Sequence, residues 1–173
     1  MSGDWHIRLA RPGDAESFHA VEEDAATLLK EEPSLEGIPV PPSGSADHYR
    51  KVIARGHCLS ATVGDEVVGF AAAGRVGRDL HLHELSVMRA HQGKRIGSTL
   101  LEALAIDARN SGISAITLST YRDIAWNAPF YARHSFVEVE NFEGRPHLTQ
   151  SLEGAVAAGL PAERRCAMIR FLD

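Results

Sequence analysis

A mixed α/β fold, with a sheet flanked by helices, is what this 173-residue sequence predicts. Three observations carry the prediction. Two apolar runs, "CLSATV" and "EVVGFAAAGRV", are joined at "GDE", a hairpin signal. From Ile96 the pattern changes period: Ile96, Leu100, Leu104 and Ala108 recur as on one face of an amphipathic helix. That helix lies between two further strand patterns, which makes a strand–helix–strand crossover.

In chain order, "WHIRLA" (5–10) predicts a first strand. "RPGD" breaks it, and Asp14 is placed to cap a helix running to about Lys30. Residues 31–47 hold Pro33, Pro39, Pro41, Pro42, Gly37 and Gly44, which predicts a long loop of the kind that often carries function. "ADHYRKVIARG" predicts a short helix, followed by the two hairpin strands. "DLHLHELSVM" (79–88) predicts the next strand, and the helix from Ile96 ends near Gly112. "SAITLST" (114–120) is a strand pattern, and "AWNAPFYARHS" a short helix with Pro129 in its first turn. "FVEVE" predicts a strand, "PHLTQSLEGAVAAGLP" a helix between loops, and "RCAMIRFL" a closing strand. One domain spanning 1–173 is expected, because this length buries a core without staples.

The formal net charge of −5 argues against a general nucleic-acid binder. Cys58 and Cys166 form no CxxC pair and are expected as reduced, buried thiols, which suits a cytoplasmic compartment. The first residues lack a hydrophobic signal region, and no apolar run approaches the roughly 20 residues of a membrane span, so no membrane role is expected. Oligomeric state is not readable. Trp5 and Phe70 are expected in the core. Trp126 and Phe130 are expected either in the core or along an acceptor pocket. The Glu22–Asp24 run is expected to be a solvated helix face.

"HQGKRIGSTLL" joins a strand to a helix. Gly93 and Gly97 permit close backbone approach, and the helix start leaves amide N–H groups free. Such a terminus attracts phosphate, and Lys94 and Arg95 add positive charge. The spacing is neither GxxxxGK[ST] nor GxGxxG. The bland alternative is a basic turn at a helix start.

The stretch 79–136 resembles the GNAT superfamily of N-acetyltransferases, whose signature is Q/R-x-x-G-x-G/A after a strand and at a helix start. Gln92 and Gly97 match it, and Arg95 stands where the family usually has glycine. The resemblance implies the GNAT fold and acetyl-CoA as co-substrate. It implies that the backbone around Leu85, Ser86 and Val87 pairs with the pantetheine arm. It also implies that the amides of Gly93, Lys94, Arg95, Ile96, Gly97 and Ser98 hold the pyrophosphate. "FYARHSF" resembles the family's tyrosine segment: Tyr131 and Phe136 keep its spacing, and Ser135 replaces its glycine. Ile124 stands where the family has asparagine, with Asn127 a weak substitute.

"HLHELSV" is similar, within that superfamily, to arylalkylamine N-acetyltransferases, which carry His-x-His on this strand. The resemblance implies His81 and His83 as proton acceptors and Tyr131 as general acid to the leaving thiolate. The chemistry is coherent. An alkylamine of pKa about 10 is an ammonium at neutral pH and has no lone pair, so about three pKa units must be overcome, or roughly 4 kcal/mol. Imidazoles can take that proton, and alternation puts His81 and His83 on one face. A bulge in the strand would open backbone groups to the cofactor.

Two other readings of the pair stand beside this one. HxH is a metal-ligand spacing, with His57, His91 or Glu84 as a third ligand, but no second motif supports it, and no metal is expected. The histidines can also be plain strand residues. Glu84 is a reserve base, which a regular strand would turn away from the histidines and a bulge would bring back.

The sequence therefore predicts direct acetyl transfer from acetyl-CoA to a primary amine, expected as a small-molecule acceptor. Protein N-terminal or lysine acetylation is the first alternative. A CoA-binding sensor without turnover is the second.

Overall fold

The computed structural model describes residues 4–173. Its strands are β1 (Trp5–Leu9), β2 (His57–Val63), β3 (Glu66–Val76), β4 (Asp79–Val87), β5 (Ala115–Tyr121), β6 (Val137–Glu138) and β7 (Arg165–Phe171). They form one sheet in the order β1-β2-β3-β4-β5-β7-β6. Every pairing is antiparallel except β4–β5, where the helical crossover imposes a parallel pair. The helices are α1 (Ala15–Glu31), α2 (Ala46–Arg55), α3 (Ile96–Asn110), α4 (Ala128–Ala132) and α5 (Pro146–Ala157). The expected mixed α/β fold is the observed one.

Two apolar layers hold the sheet. On one face Leu100, Leu101 and Leu104 of α3 meet Leu80, Leu82, Ile116 and Leu118. On the other, Phe18 of α1 and Tyr49 of α2 close on Phe70. The Phe18 and Phe70 rings stack with centroids 4.1 Å apart. Each such buried side chain contributes about 1.5–3 kcal/mol by leaving water. The Ser45 hydroxyl caps α2 by accepting from the His48 amide at 3.0 Å. Gly112, at φ 77°, ends α3 where a left-handed residue is needed.

Two local expectations are corrected. Asp14 does not cap α1. Its carboxylate instead takes the Arg8 guanidinium at 2.7 and 3.0 Å, the Arg11 amide at 2.9 Å and the Ser60 hydroxyl at 2.8 Å. A buried carboxylate with a guanidinium in reach is better satisfied there than at a helix end. The run "FVEVE" gives a strand of only Val137 and Glu138, a short edge strand against β7 that the Val139 amide extends by one bond to the Ala167 carbonyl at 2.8 Å.

The decisive feature is in β4. Ala72 pairs with Glu84 and Ala73 with Leu82, so His83 has no partner across the ladder. This is a β-bulge, and it shifts the phase of every side chain beyond it. Leu80 and Leu82 before the bulge, and Leu85 and Val87 after it, all pack on the α3 side. His81, Glu84 and Ser86 therefore share the opposite face. The sequence-based expectation for a regular strand, with Glu84 turned away, does not hold.

Candidate active site

Strand β4 pairs with β5 only through Asp79, Leu80 and His81. Beyond that point the two strands separate and leave a cleft of about 890 Å³. Its walls include Leu85, Ser86 and Val87 of β4, so the backbone expected to meet pantetheine does border the opening. The next turn carries the residues expected to hold a pyrophosphate. Gly93 (φ 79°) and Arg95 (φ 66°, ψ 19°) both take left-handed backbone, a conformation found in anion-binding amide nests. No side chain caps the start of α3, so its first N–H groups remain for a ligand. The Gln92 side chain donates to the Val87 carbonyl at 3.1 Å and ties the turn to the strand.

Gly93, Arg95, Ile96, Gly97 and Ser98 line the cleft. Lys94 stands on the outer side of the turn, exposed, with its Nζ 3.4 Å from His91 Nδ1. A pyrophosphate is well matched to this arrangement: free amides, a helix start and a nearby guanidinium.

The chemical end of the cleft is built on Glu84, Tyr131 and the histidines. Glu84 is half-buried and accepts from the Ser86 hydroxyl at 2.6 Å. Desolvation, followed by the negative charge of Glu22, pushes its pKa up to about 8; the Ser86 bond and Arg165 partly offset the rise. Tyr131 sits on α4, braced edge-on by Phe130 and Phe136 at 5.3 and 5.6 Å. Burial and the Glu84 charge raise its pKa, so the phenol stays protonated. Asn127, before α4, accepts from the Thr120 hydroxyl at 2.7 Å and fixes that helix to the end of β5.

The histidines divide. His81 is buried, its Nδ1 2.9 Å from the Thr117 hydroxyl, which in turn lies 3.0 Å from His147 Nε2. Desolvation, with His83 and His147 beside it, lowers its pKa to about 3. His83, on the bulge, opens to the cleft 5.4 Å from the His81 ring. Desolvation by the cleft walls and the nearby His48 lower its pKa as well. Both rings are thus neutral at ordinary pH. Among the described residues, no group of three or more His, Cys, Asp or Glu side chains is arranged to hold a metal ion.

Against this geometry, residues 22–136 match the family model described as "Acetyltransferase (GNAT) family". The chain belongs to the GNAT family. It is an acetyl-CoA-dependent N-acetyltransferase.

Solved GNAT structures share the fold. The PaiA N-acetyltransferase of Thermoplasma acidophilum, in complex with coenzyme A, superposes with a TM-score of 0.70 at 17% identity, covering 96% of this chain and 98% of that one. N-acetylglutamate synthase from Neisseria gonorrhoeae, complexed with coenzyme A and N-acetyl-glutamate, gives 0.72 at 18% identity, covering 98% of this chain and 35% of that one. The ribosomal-protein-S18-alanine N-acetyltransferase of Escherichia coli gives 0.65 at 16% identity, covering 98% and 94%. Those enzymes act on unlike acceptors, so the fold does not choose an acceptor. No helix among the described residues is long and apolar enough to cross a membrane.

Sequence reasoning missed three residues of this GNAT site. Glu22 was expected on a solvated face, yet its carboxylate lines the cleft and accepts from the Gly44 amide at 2.9 Å and from the Tyr49 hydroxyl. The signal was its position one helical turn after Phe18, on the apolar side of α1. Tyr49 itself is buried behind that carboxylate. Arg165, the first residue of β7, also lines the cleft.

Proposed function

We propose that the protein acetylates a small primary amine, with Glu84 as the proton acceptor and Tyr131 as the proton donor. The observation that carries this reading is the β4 bulge at His83, which puts Glu84 on the cleft face beside an uncapped α3 start. Acetyl-CoA is the co-substrate. Its pyrophosphate lies at Gly93–Ser98 and its pantetheine along Leu85–Val87. The Lys94 contribution is through its amide and its charge at the rim.

Proton affinity decides between the candidate bases. An ammonium of pKa about 10 lies about 2 units above Glu84, at about 8, a gap of roughly 3 kcal/mol. The gap to His81, at about 3, is about 7 units, or roughly 10 kcal/mol. Glu84 therefore takes the proton, directly or through one water. His81 and His83, expected as the bases, act instead as neutral hydrogen-bonding groups beside the acceptor. The freed nitrogen attacks the thioester carbon, the C–N bond forms, the C–S bond breaks, and Tyr131 protonates the departing sulfur. Proton uptake by Glu84 removes the charge that opposes ionisation of Tyr131, so the donor improves once the nucleophile is ready.

A roof over the cleft favours a small acceptor over a protein chain. Arg164 donates to the Ser34 carbonyl at 2.5 Å and to its hydroxyl at 3.0 Å. Pro39 rests on Gly159 so closely that an added Cβ there would lie 2.8 Å from its Cγ. The His-x-His resemblance to arylalkylamine acetyltransferases points the same way. An amine panel assayed by thiol release tests the reading, with calorimetry for acetyl-CoA. Binding without release from any amine would leave the CoA-sensor alternative instead.

A further inference from the structure

The acceptor half of the cleft holds a cation that the transfer chemistry does not use. Arg165 Nε is, among the described residues, the one buried side-chain polar atom without a hydrogen-bond partner. Among the described residues its guanidinium makes no ion pair, whereas Arg8, Arg145 and Arg170 pair with Asp14, Asp79 and Glu102. Arg95 and Arg133 also line the cleft, but they are exposed.

The site around Arg165 is built. The guanidinium lies over the Tyr121 ring, 4.9 Å from its centroid, which fixes its plane. Its Nη2 reaches the Ser119 hydroxyl only at 3.5 Å, too long to satisfy a charged donor. Ser119 Oγ stands 2.6 Å from Ser151 Oγ, so two hydroxyls border the same space. Arg165 is half-buried with its Nε shielded from water, and partial burial of a guanidinium without a counter-charge is costly. Burial lowers its proton affinity, in the direction of a cation lacking its partner. Glu84 and Arg165 feel each other's charge but do not join in an ion pair, so the cleft presents a carboxylate and a guanidinium side by side.

We infer that Arg165, with the hydroxyls of Ser119 and Ser151, is a carboxylate-binding subsite, and that the acceptor is a small amino-carboxylate whose amine faces Glu84. The inference rests on the acetyl-transfer reading for the amine end and adds the second charge of the substrate. A guanidinium binds a carboxylate through charge-assisted hydrogen bonds, and its Nη2, held only by the long Ser119 contact, is a donor left for one. A simple arylalkylamine would leave that donor unmatched.

Matched pairs of acceptors test this: phenylalanine against phenethylamine, tryptophan against tryptamine, and short ω-amino acids against the corresponding alkylamines. The carboxylate member should show kcat/KM higher by about 10–100-fold, the range of a charge-assisted hydrogen bond. In Arg165→Met the advantage should collapse to within a few-fold, mainly through KM. Arg165→Lys should keep part of it, because the charge remains and the fork is lost. Ser151→Ala is milder and should shrink the advantage in the same direction, which keeps the test available if Arg165→Met does not fold. Calorimetric titration of N-acetyl-phenylalanine into the CoA complex reads the subsite without turnover.

A wild-type preference for the decarboxylated amines would overturn the assignment. So would an Arg165→Lys or Arg165→Met protein that binds the N-acetyl amino acid as tightly as wild type. An aminoalkyl phosphonate that outcompetes its carboxylate would overturn the choice of carboxylate. Arg165-dependent binding with no turnover of any amine would sustain the subsite and remove the transfer reading. Turnover with no carboxylate preference would do the reverse.

Discussion

Arg95 and Ser135 hold the same left-handed backbone, with φ of 66° and 67°, and they are the two non-glycine residues with positive φ among the described residues. Each stands where the family pattern carries glycine. The turn before α3 and the turn after α4 thus keep a glycine conformation without glycine, at about 1–2 kcal/mol each. Ser135→Gly should raise stability by roughly 0.5–1 kcal/mol, after allowance for glycine's greater freedom in the unfolded chain. Denaturant midpoints at unchanged m would show it. Arg95→Gly should gain similarly in stability but bind acetyl-CoA more weakly, with a shallower salt dependence, because a cation beside the pyrophosphate is gone.

Gly97 has a different reason for being glycine. Its φ is not positive, and a Cβ there would meet Val87 and Phe130 only at 3.8 and 3.9 Å, ordinary contact distances. The fold therefore accepts a methyl group, and Gly97→Ala should leave the unfolding free energy no lower than about 0.5 kcal/mol below wild type. Gly97→Glu brings a carboxylate to the turn expected to hold the pyrophosphate. Calorimetry should record acetyl-CoA affinity reduced by at least about 10-fold, with the unliganded fold intact. A Gly97→Glu protein that binds acetyl-CoA normally would remove the pyrophosphate from this turn.

How much of this was legible depends on the range of the interaction. Helix α3 was legible because its apolar period and its Gly112 stop are local. The turn before α3 was legible from Gln92, Gly93 and Gly97, although the backbone of Arg95 was not, since arginine disfavours the angle it takes. The bulge left a trace: Leu80 and Leu82 alternate, then Leu85 and Val87 resume one position late. That slip was enough to turn Glu84 into the cleft. Glu22 left only its place one turn after Phe18, and Arg165 left no trace, because a charged side chain takes its meaning from distant partners. Only packing brings Tyr49 to the one and the Tyr121 ring to the other.

Stability should respond to pH in two opposite ways. Glu84 has a folded pKa raised from 4.5 to about 8, so the folded chain keeps a proton that the unfolded chain releases. Its contribution is present below pH 4.5 and declines as pH rises toward 8. His81 has a folded pKa lowered from 6.5 to about 3, so the unfolded chain gains a proton that the folded one refuses. Its contribution is present above pH 6.5 and declines as pH falls toward 3. Thermal or denaturant unfolding of Glu84→Gln should lose the alkaline decline, and that of His81→Asn should soften the acid one. A Glu84→Gln profile that parallels wild type from pH 5 to 9 would contradict the raised carboxyl.

Turnover should separate the base from the histidines. Glu84→Gln should lower kcat by about 10²–10⁴-fold, the usual span for a general base. It should also remove a limb of the kcat/KM profile near pH 8. The amine's own ionisation adds a second limb, so acceptors of different pKa must be compared, and only the Glu84 limb stays fixed among them. His81→Gln and His83→Gln, singly or together, should retain the Glu84 limb, because neither imidazole titrates near that pH. Their losses should be smaller and should fall on KM as much as on kcat, as suits groups that hydrogen-bond the acceptor. Tyr131→Phe keeps the ring's packing against Phe130 and Phe136 and removes only the donor, so kcat should fall while acetyl-CoA affinity changes little. A double histidine variant that abolishes the pH 8 limb while Glu84→Gln leaves it would return the role of base to the histidine pair.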